Sequence, residues 1–257
     1  MISAIILAKN AEKTIGKTLA SIDWVDEVLV VDDESQDNSI QMARDHGARV
    51  IERKMENDFA TQRNFADRQA KGEWILHIDA DEEVSEALAG EILKLVQDDM
   101  KKNPDDNEIH AYHIKRRDVW WGRELKYGEV HKAAHIGFIR LYKKGSGVWV
   151  GAVHEQFKTD EKTGILSSYL IHRPHPSISS FLKQINKYSS IRADELHLDG
   201  CRSNVLKIMF FPPIKFWYNY LLRFGFLEGV EGFIYAFFMA FHTFLVQSKL
   251  YMKHYSK

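Results

Sequence analysis

Trp74–Ser85 reads WILHIDADEEVS, an apolar run set directly against the carboxylates of Asp79, Asp81, Glu82 and Glu83. Neighbouring carboxylates repel one another and raise each other's pKa unless a cation holds them. Two readings fit the stretch: a solvated loop after a buried strand, or a seat for a metal ion. The chain on either side decides between them. Ser3–Leu7 (SAIIL) suits a short buried strand, and Ile15, Leu19 and Ile22 recur at helical spacing in NAEKTIGKTLASI, with Asn10 expected as the N-cap. EVLVVDDES predicts a second buried strand ending in acid, SQDNSIQMARDHG a helix closed by Gly47, and ARVIE a third strand. DFATQRNFADRQAKG predicts a further helix with Gly72 at its end, just before the quoted strand. Strands alternating with short helices predict a mostly parallel sheet flanked by helices. Such sheets bind ligands outside the carboxyl ends of their strands. Both acidic pairs, Asp32/Asp33 and Asp79/Asp81, fall at such ends, which raises the metal seat above the solvated loop.

Composition sets the outer bounds. A chain of 257 residues can bury a sizeable α/β core, and a hydrophobic share of 45% with 28% charged is that of a folded domain. A formal net charge of -1 provides no global field for nucleic acid, so no nucleic-acid partner is expected. The single cysteine, Cys201, excludes an internal disulfide and fits a reducing compartment. MISAIILAKN is too short an apolar run for a secretory signal, and a cytoplasmic location is expected.

After the polar stretch DDMKKNPDDNE, the segments IHAYHIKRRDVWWG, HIGFIRLYKK, GVWVGAVHEQF and ILSSYLIHR read as strands. SISSFLKQINKYSSIRADELHLDG returns to helix. From about Ser203 the tail becomes dense in aromatic residues, with seven basic residues from Arg202 onward against only Glu228 and Glu231. GFIYAFFMAFHTFLV is shorter than the roughly 20 apolar residues of a membrane span. It reads as a core or dimer helix, or as part of a peripheral membrane contact through residues 203–254, and aromatic-plus-basic composition favours the second. The expected division is a nucleotide-sugar-binding half (1–100), a catalytic and acceptor half (101–200) and a helical extension (201–257).

Three stretches in order, AIILAKNAEKTIGKTLASI, EVLVVDDESQDNS and the D-x-D of HIDADEE, resemble the family-2 inverting glycosyltransferases of the GT-A fold. RLYKKGSGVWVGAVHEQF and FLEGVEGFIYAFFMAFHTFLV are similar to the bacterial subgroup containing the lipopolysaccharide inner-core β-1,4-glucosyltransferases. The resemblance implies a nucleotide-sugar donor such as UDP-glucose, a lipid-linked glycan acceptor and the cytoplasmic face of the inner membrane. It also implies Asp33 as an acceptor for the uracil ring. Asp32 would be a ribose contact or fix the loop.

Physical chemistry points to the same place. A departing nucleoside diphosphate gains negative charge, and a hard divalent cation (Mg2+ or Mn2+) held by one or two carboxylates stabilises it. Asp81 is the expected ligand, with Asp79 facing the ribose or the metal through water, and Lys9 and Arg63 are expected diphosphate contacts. Glu82 and Glu83 are expected only to favour the N-terminus of the next helix. Single-displacement inversion needs a base, and GAVHEQF offers Glu155, with His154 orienting it or contacting phosphate. The family's usual Glu-Asp pair does not occur mid-chain, and this is the one departure from its pattern. The histidines are expected at the surface or the acceptor site rather than on zinc. In DVWWGRELKYG, Trp120 and Trp121 are expected in the core, with an acceptor wall the weaker reading. A nucleotidyltransferase is disfavoured because no glycine-rich loop follows the first strand. The remaining alternative is a non-catalytic sugar-nucleotide-binding or scaffold protein of envelope glycan assembly.

Overall fold

Strand β1 (Ile2–Ala8) is apolar on both sides, and both sides are covered. The computed structural model describes residues 1–56, 58–101, 109–151, 155–174 and 177–255. After β1 come α1 (Ile15–Ala20), β2 (Glu27–Asp32), α2 (Ser39–Asp45), β3 (Arg49–Glu52), α3 (Phe59–Gln69) and β4 (Trp74–Asp79). Next are β5 (Glu82–Val84), α4 (Glu86–Asp99), β6 (Ala111–Trp120), β7 (Arg123–Leu125), α5 (His131–His135) and β8 (Phe138–Lys143). The chain continues through β9 (Val148–Val150), β10 (Gln156–Lys158) and β11 (Thr163–His172) into the helices α6 (Ile178–Leu198), α7 (Val205–Trp217) and α8 (Gly229–Tyr255).

Two compact units result, Met1–Arg117 with His135–His172, and Asp118–Ala134 with Arg173–Lys257. These cuts differ from the expected ones near 100 and 200, because residues 118–134 and α6 group with the tail. In the first unit the sheet runs β3-β2-β1-β4-β8-β6-β11-β5. The first four strands are parallel, as their alternation with helices predicts, and β8 then pairs antiparallel with β4. The sheet is therefore mixed, with helices on its faces.

Period-two alternation sorts the side chains. Ile2, Ala4 and Ile6 of β1 and Trp74, Leu76 and Ile78 of β4 share one core with α1 and α4. Ile5 and Ile75 join Ala60 and Ala66 of α3, Tyr142 and Trp149 in the core of the opposite face. His77 and Asp79 follow Ile75 at steps of two, so they point to that second face, toward α3.

Several local expectations change. Asn10 does not cap α1; the cap is Thr14, and Asn10 has φ 50° in the left-handed region that asparagine tolerates. Gly72 does not close α3, which ends at Gln69 with Ala70 as its C-cap. A Cβ at Gly72 would lie 2.6 Å from the Ser3 backbone nitrogen, so glycine permits a close approach of two backbone segments. Glu82 and Glu83 lie in β5, paired antiparallel with β11, rather than in a helical first turn. Ser85 is the N-cap of α4 and accepts from the Leu88 amide.

In the second unit Trp120 is buried edge-on against Phe181 and Tyr235, with ring centroids 4.8 and 4.7 Å away. Trp121, expected in the core, is instead exposed at φ 45°. Arg123 faces Glu228 and Glu231.

Candidate active site at the strand ends

The loops after β1 and β2 are tied to each other. The Asn10 amide donates to Ser35 Oγ at 2.7 Å, the Gln36 amide to Asn10 Oδ1 at 2.7 Å, and the Ala11 amide to Ser39 Oγ at 2.7 Å. Asp32 is fully buried and accepts from the Ser35 amide and hydroxyl at 2.7 and 2.6 Å. Both its oxygens are engaged in fixing the loop. Asp33, beside it, accepts from Lys9 Nζ at 2.6 Å and from the Met55 amide at 2.9 Å. Lys9 is half-exposed.

Beneath the β4 end lies a polar cluster built from three elements at matching periods. Helix α3 contributes Arg63 and Asp67, four residues apart on one face; β4 contributes His77 and Asp79; β8 contributes Arg140 and Tyr142. The β4/β8 register sets Ile75 opposite Tyr142 and Leu76 opposite Leu141, which draws the alternating polar residues together. Arg63 donates to Asp79 Oδ1 at 2.7 Å and to Glu155 Oε1 at 3.0 Å, lies 3.0 Å from His77 Nδ1, and stacks 4.8 Å over the Trp149 ring. Arg140 donates to Asp79 Oδ2 at 2.8 Å. His77 Nε2 meets Asp67 at 2.7 Å, and the Tyr142 hydroxyl donates to Asp67 while accepting from Trp149 Nε1 at 2.8 Å.

The electrostatics follow from this packing. Burial opposes ionisation of Asp79, but the Arg140 and Arg63 guanidinium groups outweigh it and hold the carboxyl well below the usual range. Burial works against charge on Arg140 too, and Asp79 with Glu82 reverses that. Burial lowers the His77 imidazole to about 4, against the pull of Asp67. At neutral pH the ring is therefore neutral, and its contacts fit Nε2–H donating to Asp67 with Nδ1 accepting from Arg63. Burial and Asp67 both push the Tyr142 phenol well above its ordinary value, so it remains a donor.

Arg63, expected at the diphosphate, is 2% exposed with its guanidinium shared among Asp79, Glu155 and His77. Asp79, expected at the ribose or the metal, has its two oxygens on the Arg63 and Arg140 guanidinium groups. Glu82 belongs to the same cluster: fully buried, it accepts from the Asp79 amide at 3.0 Å and from Arg116 at 3.4 Å. His154 lies outside the described residues.

Asp81 is partly exposed, as Asp79 and Glu83 are, and has His172 Nε2 at 3.4 Å. Among the described residues no group of three or more His, Cys, Asp or Glu gathers as a metal cage. One carboxylate and one imidazole at a partly open position do fit a cation that takes its other ligands from a diphosphate, as magnesium-type sites do. Sequence reasoning missed Arg140 and His172. Arg140 carried a signal, since an arginine inside FIRLYK must meet a carboxylate once that strand is buried. His172 carried none, because β11 brings it to Asp81 from 91 positions away.

The tied loops after β1 and β2 stand beside the acidic end of β4, on the side where open α/β sheets bind ligands. The glycosyl transferase family 2 model matches residues 3–152, and the chain belongs to that family. It is 29% identical over 264 residues to the lipopolysaccharide core biosynthesis glycosyltransferase LpsC of Rhizobium meliloti, covering 98% of this chain and 93% of that one. It is 28% identical to a glycosyltransferase of Rickettsia typhi, covering 97% and 86% of the two chains. Among solved structures it is similar to glucosyl-3-phosphoglycerate synthase of Mycobacterium tuberculosis in complex with Mn2+, UDP and phosphoglyceric acid. The TM-score is 0.51 at 15% identity over 79% of this chain and 80% of that one, a likeness of GT-A fold.

Proposed function

We propose that the chain transfers a hexose, with UDP-glucose as donor, to a lipid-linked glycan of the lipopolysaccharide inner-core type, with inversion, at the cytoplasmic face of the inner membrane. The observation that carries the reading is the Arg63 bridge, which brings Glu155 beside the D-x-D although the two stand 76 positions apart. In this reading Asp33 accepts a hydrogen bond from the uracil ring, and Lys9 turns from Asp33 toward the diphosphate. Asp81 and His172 hold a divalent cation. When bound, that cation would supply charge stabilisation for the departing diphosphate. Glu155, oriented by Arg63 through one oxygen, takes the proton of the acceptor hydroxyl as that oxygen attacks the anomeric carbon and the bond to UDP breaks. The name of LpsC supports the acceptor class, and the manganese and UDP of the mycobacterial enzyme support the donor class.

A nucleotide-release assay across UDP- and ADP-sugars with a lipopolysaccharide-core acceptor tests it. UDP-glucose should give the highest turnover, and Glu155→Gln should lower turnover by about 10²–10⁴-fold while donor binding persists. Near-normal turnover in Glu155→Gln would reassign the base. Absence of turnover with every sugar nucleotide tested would favour the non-catalytic binding protein.

A further inference from the structure

The second unit carries an apolar face that the donor, metal and base assignments do not involve. Helix α7 has no buried residue, yet most of its length is apolar, and Leu206, Phe210, Ile214 and Trp217 form an outward stripe continued by Leu221. Between α7 and α8 lies an open groove of ≈ 330 Å³, lined by Pro212, Pro213, Phe216 and Trp217 on one side and Phe237 and Phe241 on the other. We infer that this face docks on an anionic phospholipid bilayer, α7 lying in the headgroup interface and the groove receiving part of an acyl chain.

Charge selects this occupant. The unit's tail holds only two carboxylates, and both turn inward. Glu228 is buried on the Lys126 and Tyr127 amides at 2.7 and 3.0 Å, and Glu231 meets Arg123 at 3.4 Å. Arg202, Lys207 and Arg223 flank α7 and pair with no carboxylate among the described residues. The rim of the apolar face is therefore cationic. Two copies meeting face to face would bring like charges together, whereas an anionic leaflet attracts each basic residue by about fivefold. Trp217 and Tyr218 at the end of the helix suit headgroup depth.

The helical segment Gly225–His254, most of it α8, meets the length and composition of a span. Its polar residues are nevertheless committed within the unit. Lys249 donates to Asn186, Ser189 and Ser190 on α6, Gln247 accepts from Ser203 at 2.8 Å, and Lys253 pairs with Asp194. Docking on the surface keeps those bonds; crossing would strip them of water without need. The inference stands on the second unit alone and does not depend on the donor or base assignments.

Co-sedimentation of the full chain with phosphatidylcholine vesicles, with and without phosphatidylglycerol, tests it. Binding should be about tenfold or more tighter with phosphatidylglycerol and weaken in high salt. Exposed-face variant Leu206→Ser/Phe210→Ser/Ile214→Ser should keep its melting temperature and lose binding by about tenfold or more. Should that variant fail to fold, brominated acyl chains serve instead: they should quench Trp217 fluorescence in the wild type, with the quenching lost in Trp217→Phe. No sedimentation, or a lipid-free dimer that the triple variant dissociates, would overturn the inference. Resistance of the vesicle-bound protein to alkaline carbonate would overturn it in favour of a span.

Discussion

Arg63→Met removes the guanidinium that joins Asp79, Glu155 and His77, bonds of 2.7, 3.0 and 3.0 Å at a site 2% exposed. Breaking a buried ion pair from one side costs about 3–5 kcal/mol, because the partner charge is left behind. Asp79 keeps Arg140, and its side chain is 33% exposed, so water relieves part of the loss. The lower end, about 3 kcal/mol, is expected. For a chain of this size that is a fall in melting temperature of about 6–12 °C. Arg63→Lys keeps the charge, but one ammonium cannot reach three acceptors set in different directions, so it should recover only a minor part. Thermal unfolding followed by circular dichroism at pH 7 reads both variants. A melting temperature for Arg63→Met within 1–2 °C of wild type would refute the idea that this guanidinium holds the cluster together.

Two further outcomes follow from the same geometry. His77 has its folded pKa depressed to about 4 from the ordinary 6.5, so the unfolded chain binds more protons between those values and stability falls as pH drops through that window. Urea unfolding should show a loss of about 2 kcal/mol from this group between pH 7 and pH 5, absent in His77→Gln; an equal slope in the variant would reassign it. Gly72→Ala should destabilise by about 1–3 kcal/mol, since its Cβ would meet the Ser3 backbone at 2.6 Å. An unchanged urea midpoint would show that the β1 end yields freely.

Much of this was legible in the chain because strand alternation and helix period carry it. The apolar runs of β1, β2 and β4 announced parallel strands, with Asp32 and Asp79 at the strand ends. What stayed hidden needed tertiary pairing. A helix-borne arginine is usually solvated, and only the approach of Asp79 and Glu155 from other elements turns Arg63 inward. Glu82 looked like helix-start chemistry because a three-residue strand has no period to read; its partner β11 lies some 90 positions on. Asn10 had the right chemistry for a cap, but its amide and side chain are drawn to Ser35 and Gln36 of the neighbouring loop.

The central claim is that Asp81 faces a cation-bound diphosphate while Asp79 is held back by two arginines. Calorimetric titration of UDP into the protein with Mn2+ and with a chelator tests it most directly. Wild type should bind about tenfold or more tighter with Mn2+, and Asp81→Asn should lose that difference while melting like wild type. UDP binding of equal strength with metal and chelator, or the same metal dependence in Asp81→Asn, would contradict the account.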